Sequence, residues 1–413
     1  MTTSRERILT ALNHKTPDRI PIDFSGHRSS GIAAVVYPKL RRLLGLPEKT
    51  VRVYDVIQQL AIIDKDVLDI LGVDTIEMGR GFLLTDKDWK EWVLSDGSDC
   101  QIPSYIRVER KGEDWLLLSD TGLKLGIKKK GWLYFEQDFF PLMDRGIKDD
   151  NFSNLENIIE QTMWSGILPP GAHLPLNDKG LKEMAVKAKS LYESTDRAVI
   201  GLFGGSMFEL PQWLYRMDNY LLYLGIYPDA VARLSEKLCY IHMGNLEKWL
   251  KAVGPYIDII AFGDDLGGQN SSLISPDMYR RYYKPFHKKL WTRARELADV
   301  KVMLHCCGGI RELIPDLIDA GLDAINPIQI SCKGMDTSEL KAQFGSKLTF
   351  WGGGCDTRDI LPYANPDDVK KHVHDQLKVL APGGGFVFQQ VHNILADVPP
   401  ENILAMFEAI KAK

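Results

Sequence analysis

The stretch Lys301-Val302-Met303-Leu304-His305-Cys306-Cys307-Gly308-Gly309 decides the fold. It is a short apolar run that ends on an imidazole, two thiols and two glycines, the pattern of a buried strand opening into a loop. Residues two apart in extended chain point to the same side, so His305 and Cys307 can face one ion while Cys306 turns away. Two later runs end on similar residues. Leu348–Trp351 leads through three glycines to Cys355, and Gly385–Gln390 leads to His392. Strand ends distant in sequence converge when strands close into a barrel, and nitrogen and sulfur donors around an open position suit catalytic zinc. The plainer alternatives stand beside this. Buried cysteine is a common small core residue, His392 can serve as a cap or bond a carbonyl, and Cys355 can be a loop thiol beside an Asp356 cap.

Working outward, strand-like runs alternate with helical patterns, which predicts α/β architecture with parallel strands. Eight runs qualify: Arg19–Phe24, Asp74–Met78, Ala198–Phe203, Asp258–Phe262, Lys301–His305, Asp323–Ile328, Leu348–Trp351 and Gly385–Gln390. Eight such units predict a (β/α)8 TIM barrel, whose site lies at the C-terminal strand ends. An open doubly wound sheet is the alternative, but no Gly-x-Gly-x-x-Gly follows the first run. One helix is expected over Ser275–Leu297, with Ser275 as its cap and proline next. Between the second and third runs, residues 84–143 hold short tryptophan-rich segments separated by Asp-Gly, Lys-Gly and Thr-Gly. This predicts an antiparallel β insertion within a single barrel domain spanning residues 1–413. It is either a lid on the active face or a packed decoration.

The composition is that of an ordinary soluble protein, with 45% hydrophobic and 26% charged residues. A net charge of −4 gives no reason to expect nucleic acid. No stretch is apolar enough to span a bilayer. Six cysteines without small-domain spacing favour a reducing compartment, and Thr3 and Glu6 read as a helix capping box rather than part of a leader. A cytoplasmic location is the default expectation. A homodimer is compatible with the chain.

Other candidates cluster after the remaining runs. Asp264 and Asp265 are adjacent, so their side chains diverge; one can orient a histidine or move a proton while the other caps the turn. Phe203, Phe208 and Trp213 offer an apolar wall, or plain core. His27-Arg28 is a candidate substrate clamp, or a surface pair.

At these residues the chain resembles the uroporphyrinogen decarboxylase superfamily, including its zinc- and corrinoid-dependent methyltransferases. The resemblance is carried by Arg5–Leu12 with Pro17-Asp18-Arg19-Ile20-Pro21, Gly263-Asp264-Asp265-Leu266-Gly267, Ile274-Ser275-Pro276, Lys284-Pro285, His305-Cys306-Cys307-Gly308 and Val398–Ile403. It implies the barrel. The decarboxylases carry paired arginines in a Met-Arg-Gln-Ala-Gly-Arg segment; here Phe24–Gly31 holds only Arg28, and Glu77 stands where they have an aspartate. Both departures turn the expectation toward the methyltransferase branch, although His392 matches a decarboxylase histidine. That branch implies zinc on His305 and Cys307, with His392 or Cys355 completing the set, and a corrinoid carried by a partner protein. The expected activity moves a methyl group between that partner and a small substrate, a methoxylated aromatic or methanol-like donor in O-demethylase chemistry, or a thiol acceptor. Asp264 and Asp265 would be catalytic, with His27, Arg28, Glu77, Phe203, Phe208 and Trp213 around the substrate. The alternatives are a metal-free tetrapyrrole decarboxylase using Arg28 and Arg80, and a non-catalytic assembly subunit.

Overall fold

The computed structural model describes residues 2–166 and 174–411. Seven strands form one parallel sheet: β1 (Thr75–Glu77), β2 (Ala198–Gly204), β3 (Ile259–Gly263), β4 (Lys301–His305), β5 (Ala324–Asn326), β6 (Thr349–Trp351) and β7 (Phe386–Val387). They lie side by side in sequence order, as right-handed crossovers require. The chain around Ile22 joins the two edges. Asp23 N–H donates to the Phe388 carbonyl at 2.8 Å, and Asp74 N–H donates to the Ile22 carbonyl at 2.8 Å. The run Arg19–Phe24 thus supplies the eighth stave through a single parallel bridge, Ile22 to Phe388, rather than a full strand. Pro21 removes one backbone donor and shortens the ladder there.

Inside the ring, Ile200, Ile259, Ala261, Met303, Trp351 and Val387 pack together, and helix α1 (Ser4–Leu12) places Ile8, Ala11 and Leu12 against them. The Thr3–Glu6 capping box is present. This helix plugs the N-terminal end, where buried Asp74 accepts from Arg7 and Arg19 at 2.7 Å each. The strands finish at the other end, away from this helix.

Between β1 and β2, Trp89–Val93 pairs antiparallel with Asp99–Pro103, and Arg107–Lys111, Asp114–Leu118 and Lys124–Lys128 form a three-stranded antiparallel sheet. The first hairpin also pairs parallel with Val51–Asp55, which sequence patterning did not single out. Trp132–Phe135 forms no strand. The expected helix Ser275–Leu297 is two, Pro276–Tyr282 and Lys284–Leu297. Pro285 cannot donate to the carbonyl four residues back, and its ring collides with that carbonyl, so the chain breaks at Tyr283.

Candidate metal centre at the barrel mouth

His305 closes β4 and lies in register between Gly263 of β3 and Asn326 of β5. Its ring is fixed by its neighbours. Asn326 Nδ2 donates to the Trp351 carbonyl (3.0 Å) and to Gln389 Oε1 (2.8 Å), which leaves Oδ1 to accept from His305 Nδ1 at 2.8 Å. His305 therefore carries its hydrogen on Nδ1 and turns the Nε2 lone pair toward Cys307 Sγ, 3.4 Å away. Gln389 is set in the same way. Its Nε2 donates to the Ser29 carbonyl (3.0 Å), so Oε1 also accepts from His27 Nε2 at 2.9 Å. His27 Nε2 lies 3.2 Å from Asp23, which is held in turn by Trp351 Nε1 (2.8 Å) and Thr75 Oγ1 (2.6 Å). A continuous buried network thus runs from the eighth stave to the His305 imidazole.

His305, Cys307 and His392 each offer a ligand atom, and these atoms lie within 4.8 Å of one another; all three residues are half-buried. Burial, opposed in part by Asp265, holds His305 below the usual imidazole range, and burial with the charges of His305 and His27 takes His392 down to about 3. Both are neutral and able to coordinate at neutral pH. Burial, followed by the Asp265 charge, pushes the Cys307 thiol well up. A cation among these atoms would reverse that, since a coordinated thiol is deprotonated.

Two glycines bring the acid to the site. Gly308 has φ +94°, and its Cα faces the Gly267 backbone so closely that a Cβ there would stand 2.2 Å from the Gly267 carbonyl carbon. The loops after β3 and β4 thus meet backbone to backbone, with Gly309 N–H donating to the Gly268 carbonyl at 2.8 Å. Asp265 Oδ1 then accepts from Cys307 N–H (2.7 Å) and lies 3.8 Å from His305 Nε2. Asp264, the other acid of the pair, is buried among donors. It accepts from Ser206 Oγ (2.8 Å), the backbone N–H groups of Phe208 (2.9 Å) and Glu209 (2.7 Å), and His287 Nε2 (3.1 Å). Those donors fix the loop after β2, and on it Glu209 is pushed well above the usual carboxylate range by burial, then by Asp265 and Asp264.

A family model described as uroporphyrinogen decarboxylase (URO-D) matches residues 174–413, more than half of the chain. The chain belongs to the uroporphyrinogen decarboxylase family. Two relatives named uroporphyrinogen decarboxylase show how distant its kin are. The protein from Pseudomonas fluorescens is 26% identical over 219 residues, covering 50% of this chain and 57% of the relative. That from Pelobacter propionicus is 25% identical over 225 residues, covering 53% and 62%. The chain thus matches under two thirds of each relative's length. Among solved structures, a methyltransferase from Methanosarcina mazei superposes with a TM-score of 0.55 at 14% identity, covering 100% of this chain and 99% of that one. This last likeness is one of fold.

Within this family chain the remaining expected residues divide. Cys355 is buried in the core, bridged at the backbone to Gln390, and is not in the cluster that joins His305, Cys307 and His392. Phe203 packs against Phe262 and Trp249, in the layer between strands and helices. Phe208 is buried against Tyr220 and Tyr283, and Trp213 lies against Trp164. All three make apolar contacts with neighbouring elements, with Phe208 fully buried and Phe203 and Trp213 half-buried. His27 belongs to the network beneath His305. Arg28 reaches Asp55 at 3.3 Å, and Glu77 is buried at the end of β1. Sequence patterning passed over Asn326, Gln389 and Ser29. The trace they leave is a polar residue inside or just after an apolar strand run, a place that demands a partner.

Proposed function

We propose that this chain is the methyl-transferring component of a zinc-dependent system. The methyl group would pass between a small substrate, of which a methoxylated aromatic fits best, and a corrinoid held by a separate protein. The observation that carries this is the convergence of His305 Nε2, Cys307 Sγ and a His392 nitrogen at the C-terminal strand ends of the barrel. One thiol and two neutral imidazoles suit zinc far better than a cation that prefers oxygen ligands. Bound there, zinc would supply Lewis acidity toward a substrate oxygen or thiol while keeping one position open.

The residues of the chain account for the rest. When the methyl group leaves as a cation equivalent, the donor oxygen keeps the electron pair of the broken C–O bond and becomes an oxyanion. Glu209, whose carboxyl is held well above the usual range by burial and by Asp265 and Asp264, would be the group that gives that oxygen a proton. Asn326 holds the His305 lone pair on the site, and Asp265 fixes the Cys307 loop. The partner would dock over the strand ends, where His305, Cys307 and His392 converge. Among the described residues no helix is long and apolar enough to cross a membrane.

The test is metal content of protein purified without added metal, alongside loss of reduced-corrinoid absorbance on mixing with methoxybenzoate. About one zinc per chain in wild type, lost in Cys307→Ala and reduced in His392→Ala, is the expected result. No zinc, even after reductive incubation with it, would sink the proposal and favour the metal-free tetrapyrrole decarboxylase that the relatives' names suggest.

A further inference from the structure

The chemistry above leaves unused a hydroxyl that stands beside the proposed metal ligands. Ser29 is 7% exposed, and its Oγ lies 3.3 Å from His305 Nε2. Its backbone is fastened on both sides. Ser29 N–H donates to His27 Nδ1 at 3.3 Å, and the Ser29 carbonyl accepts from Gln389 Nε2 at 3.0 Å. Ser25 N–H donates to the Ser30 carbonyl at 2.8 Å, which closes the turn on itself. The neighbouring Ser30 hydroxyl is spent elsewhere, on the His27 carbonyl (3.0 Å) and Asp23 Oδ1 (3.3 Å). With the main chain held in this way, rotation about the Ser29 Cα–Cβ bond is the freedom left to Oγ.

His305 carries its hydrogen on Nδ1, so Nε2 offers a single lone pair. Two groups compete for it, Ser29 Oγ at 3.3 Å and Cys307 Sγ at 3.4 Å. One lone pair cannot satisfy both hydrogens, and 3.3 Å is long for a hydrogen bond from a hydroxyl. A cation on Nε2 removes the conflict, because a hydroxyl oxygen and a thiolate sulfur both turn lone pairs toward it. The spacing agrees with this. Four donors about 2.0–2.3 Å from one ion at tetrahedral angles stand about 3.3–3.6 Å from each other. Asp265 Oδ1 is the competing oxygen. At 3.8 Å from Nε2 it lies outside that range, and it already accepts from Cys307 N–H.

We infer that the Ser29 hydroxyl is the fourth donor of this centre, beside His305, Cys307 and His392. The inference rests on the metal reading above and adds to it an oxygen ligand from the turn after the Ile22 stave. A neutral hydroxyl is the weakest of these donors toward zinc, so it is the one that an incoming substrate oxygen or sulfur replaces. The position open to substrate is filled at rest by the chain itself.

The experiment loads metal-free protein with cobalt(II) alone, whose near-ultraviolet absorbance reports the thiolates bound to it. Wild type is compared with Ser29→Cys and with Ser30→Cys, which puts a thiol one residue away on a side chain turned to Asp23. Ser29→Cys should bring that absorbance per cobalt to about twice the wild-type value, and Ser30→Cys should leave it unchanged. Wild-type intensity in Ser29→Cys overturns the inference, since position 29 then does not reach the ion. A rise in both variants overturns it too, as the mark of thiols that capture cobalt adventitiously. Ser29→Ala gives a second readout that needs no added thiol and decides the matter if Ser29→Cys does not fold. Azide, a small anion that takes a fourth position, should bind cobalt-loaded Ser29→Ala about three- to tenfold more tightly than wild type, because it displaces free water and not a tethered hydroxyl. Equal or weaker azide binding overturns the inference. Wild type that takes up no cobalt sinks the metal reading and this inference together, whereas every other failure leaves the metal bound and sinks this inference alone.

Discussion

At the scale of single residues, the proposed metal centre depends on atoms that would never touch the ion. Asn326 Oδ1 accepts from His305 Nδ1, and its amide nitrogen is fixed by Trp351 and Gln389, so the side chain cannot flip without losing two hydrogen bonds. The His305 tautomer is thereby settled before any metal arrives. Asn326→Leu keeps the approximate volume and removes this preference, and it takes one donor each from the Trp351 carbonyl and from Gln389 Oε1, which keeps His27 Nε2. Zinc affinity should fall about 10- to 100-fold, as for other orienting partners of metal-bound histidines, with the protein still folded. Competition with a zinc chelator measures it; an unchanged affinity would show that the network is structural only. His305 and Cys307 were legible because both stand at the end of one apolar run. Asn326 and Gln389 were not, since a polar residue buried in a barrel is understood only once its partners across the ring are known.

At the scale of elements, the strands were legible because apolar runs ending in glycine or acid mark them. Their ends were not: β5 and β7 are shorter than the runs that announced them, and the eighth stave is a single bridge. The neighbouring ring members decide where a ladder stops, and they lie far away in sequence. The same holds for the strand Val51–Asp55, whose parallel partner is almost fifty residues on (Val51 with Cys100, Arg52 with Gln101). The crossing of the β3 and β4 loops is the element-scale feature that makes the site. Gly308→Ala would drive a methyl group into the Gly267 backbone at a φ that favours glycine, so the loops must separate. Cys307 would then lose its contact with Asp265. The expected outcome is a loss of about 1–3 kcal/mol in unfolding free energy and of most bound zinc. Gly263→Ala, where a Cβ meets nothing within 4 Å, is the control and should retain the metal.

At the scale of the whole molecule, the two ends of the barrel do different work. The N-terminal end is closed by α1 and by charge: Asp74 is wholly buried and accepts from Arg7, from both Nη atoms of Arg19 and from Ile22 N–H, all within 2.9 Å. The stretches Arg5–Leu12 and Pro17–Pro21, read in the sequence as family marks, are the parts that fasten the first stave to β1. Asp74→Ala would leave Arg7, itself buried, without its interior partner, while the more exposed Arg19 could turn outward to water. Arg7 would keep Asp18, which accepts from it at 2.7 Å at the rim. Breaking a buried ion pair from one side costs about 3–5 kcal/mol, and the Asp18 contact places the expected loss at the lower end. Denaturant unfolding should show that loss as a lower midpoint with an unchanged slope. Zinc content at temperatures where the variant is folded should match wild type, because the proposed metal centre stands at the opposite ends of the same strands. Zinc lost in parallel with stability would mean that the two ends are coupled through the ring, and that the barrel mouth is shaped by how tightly its floor is closed.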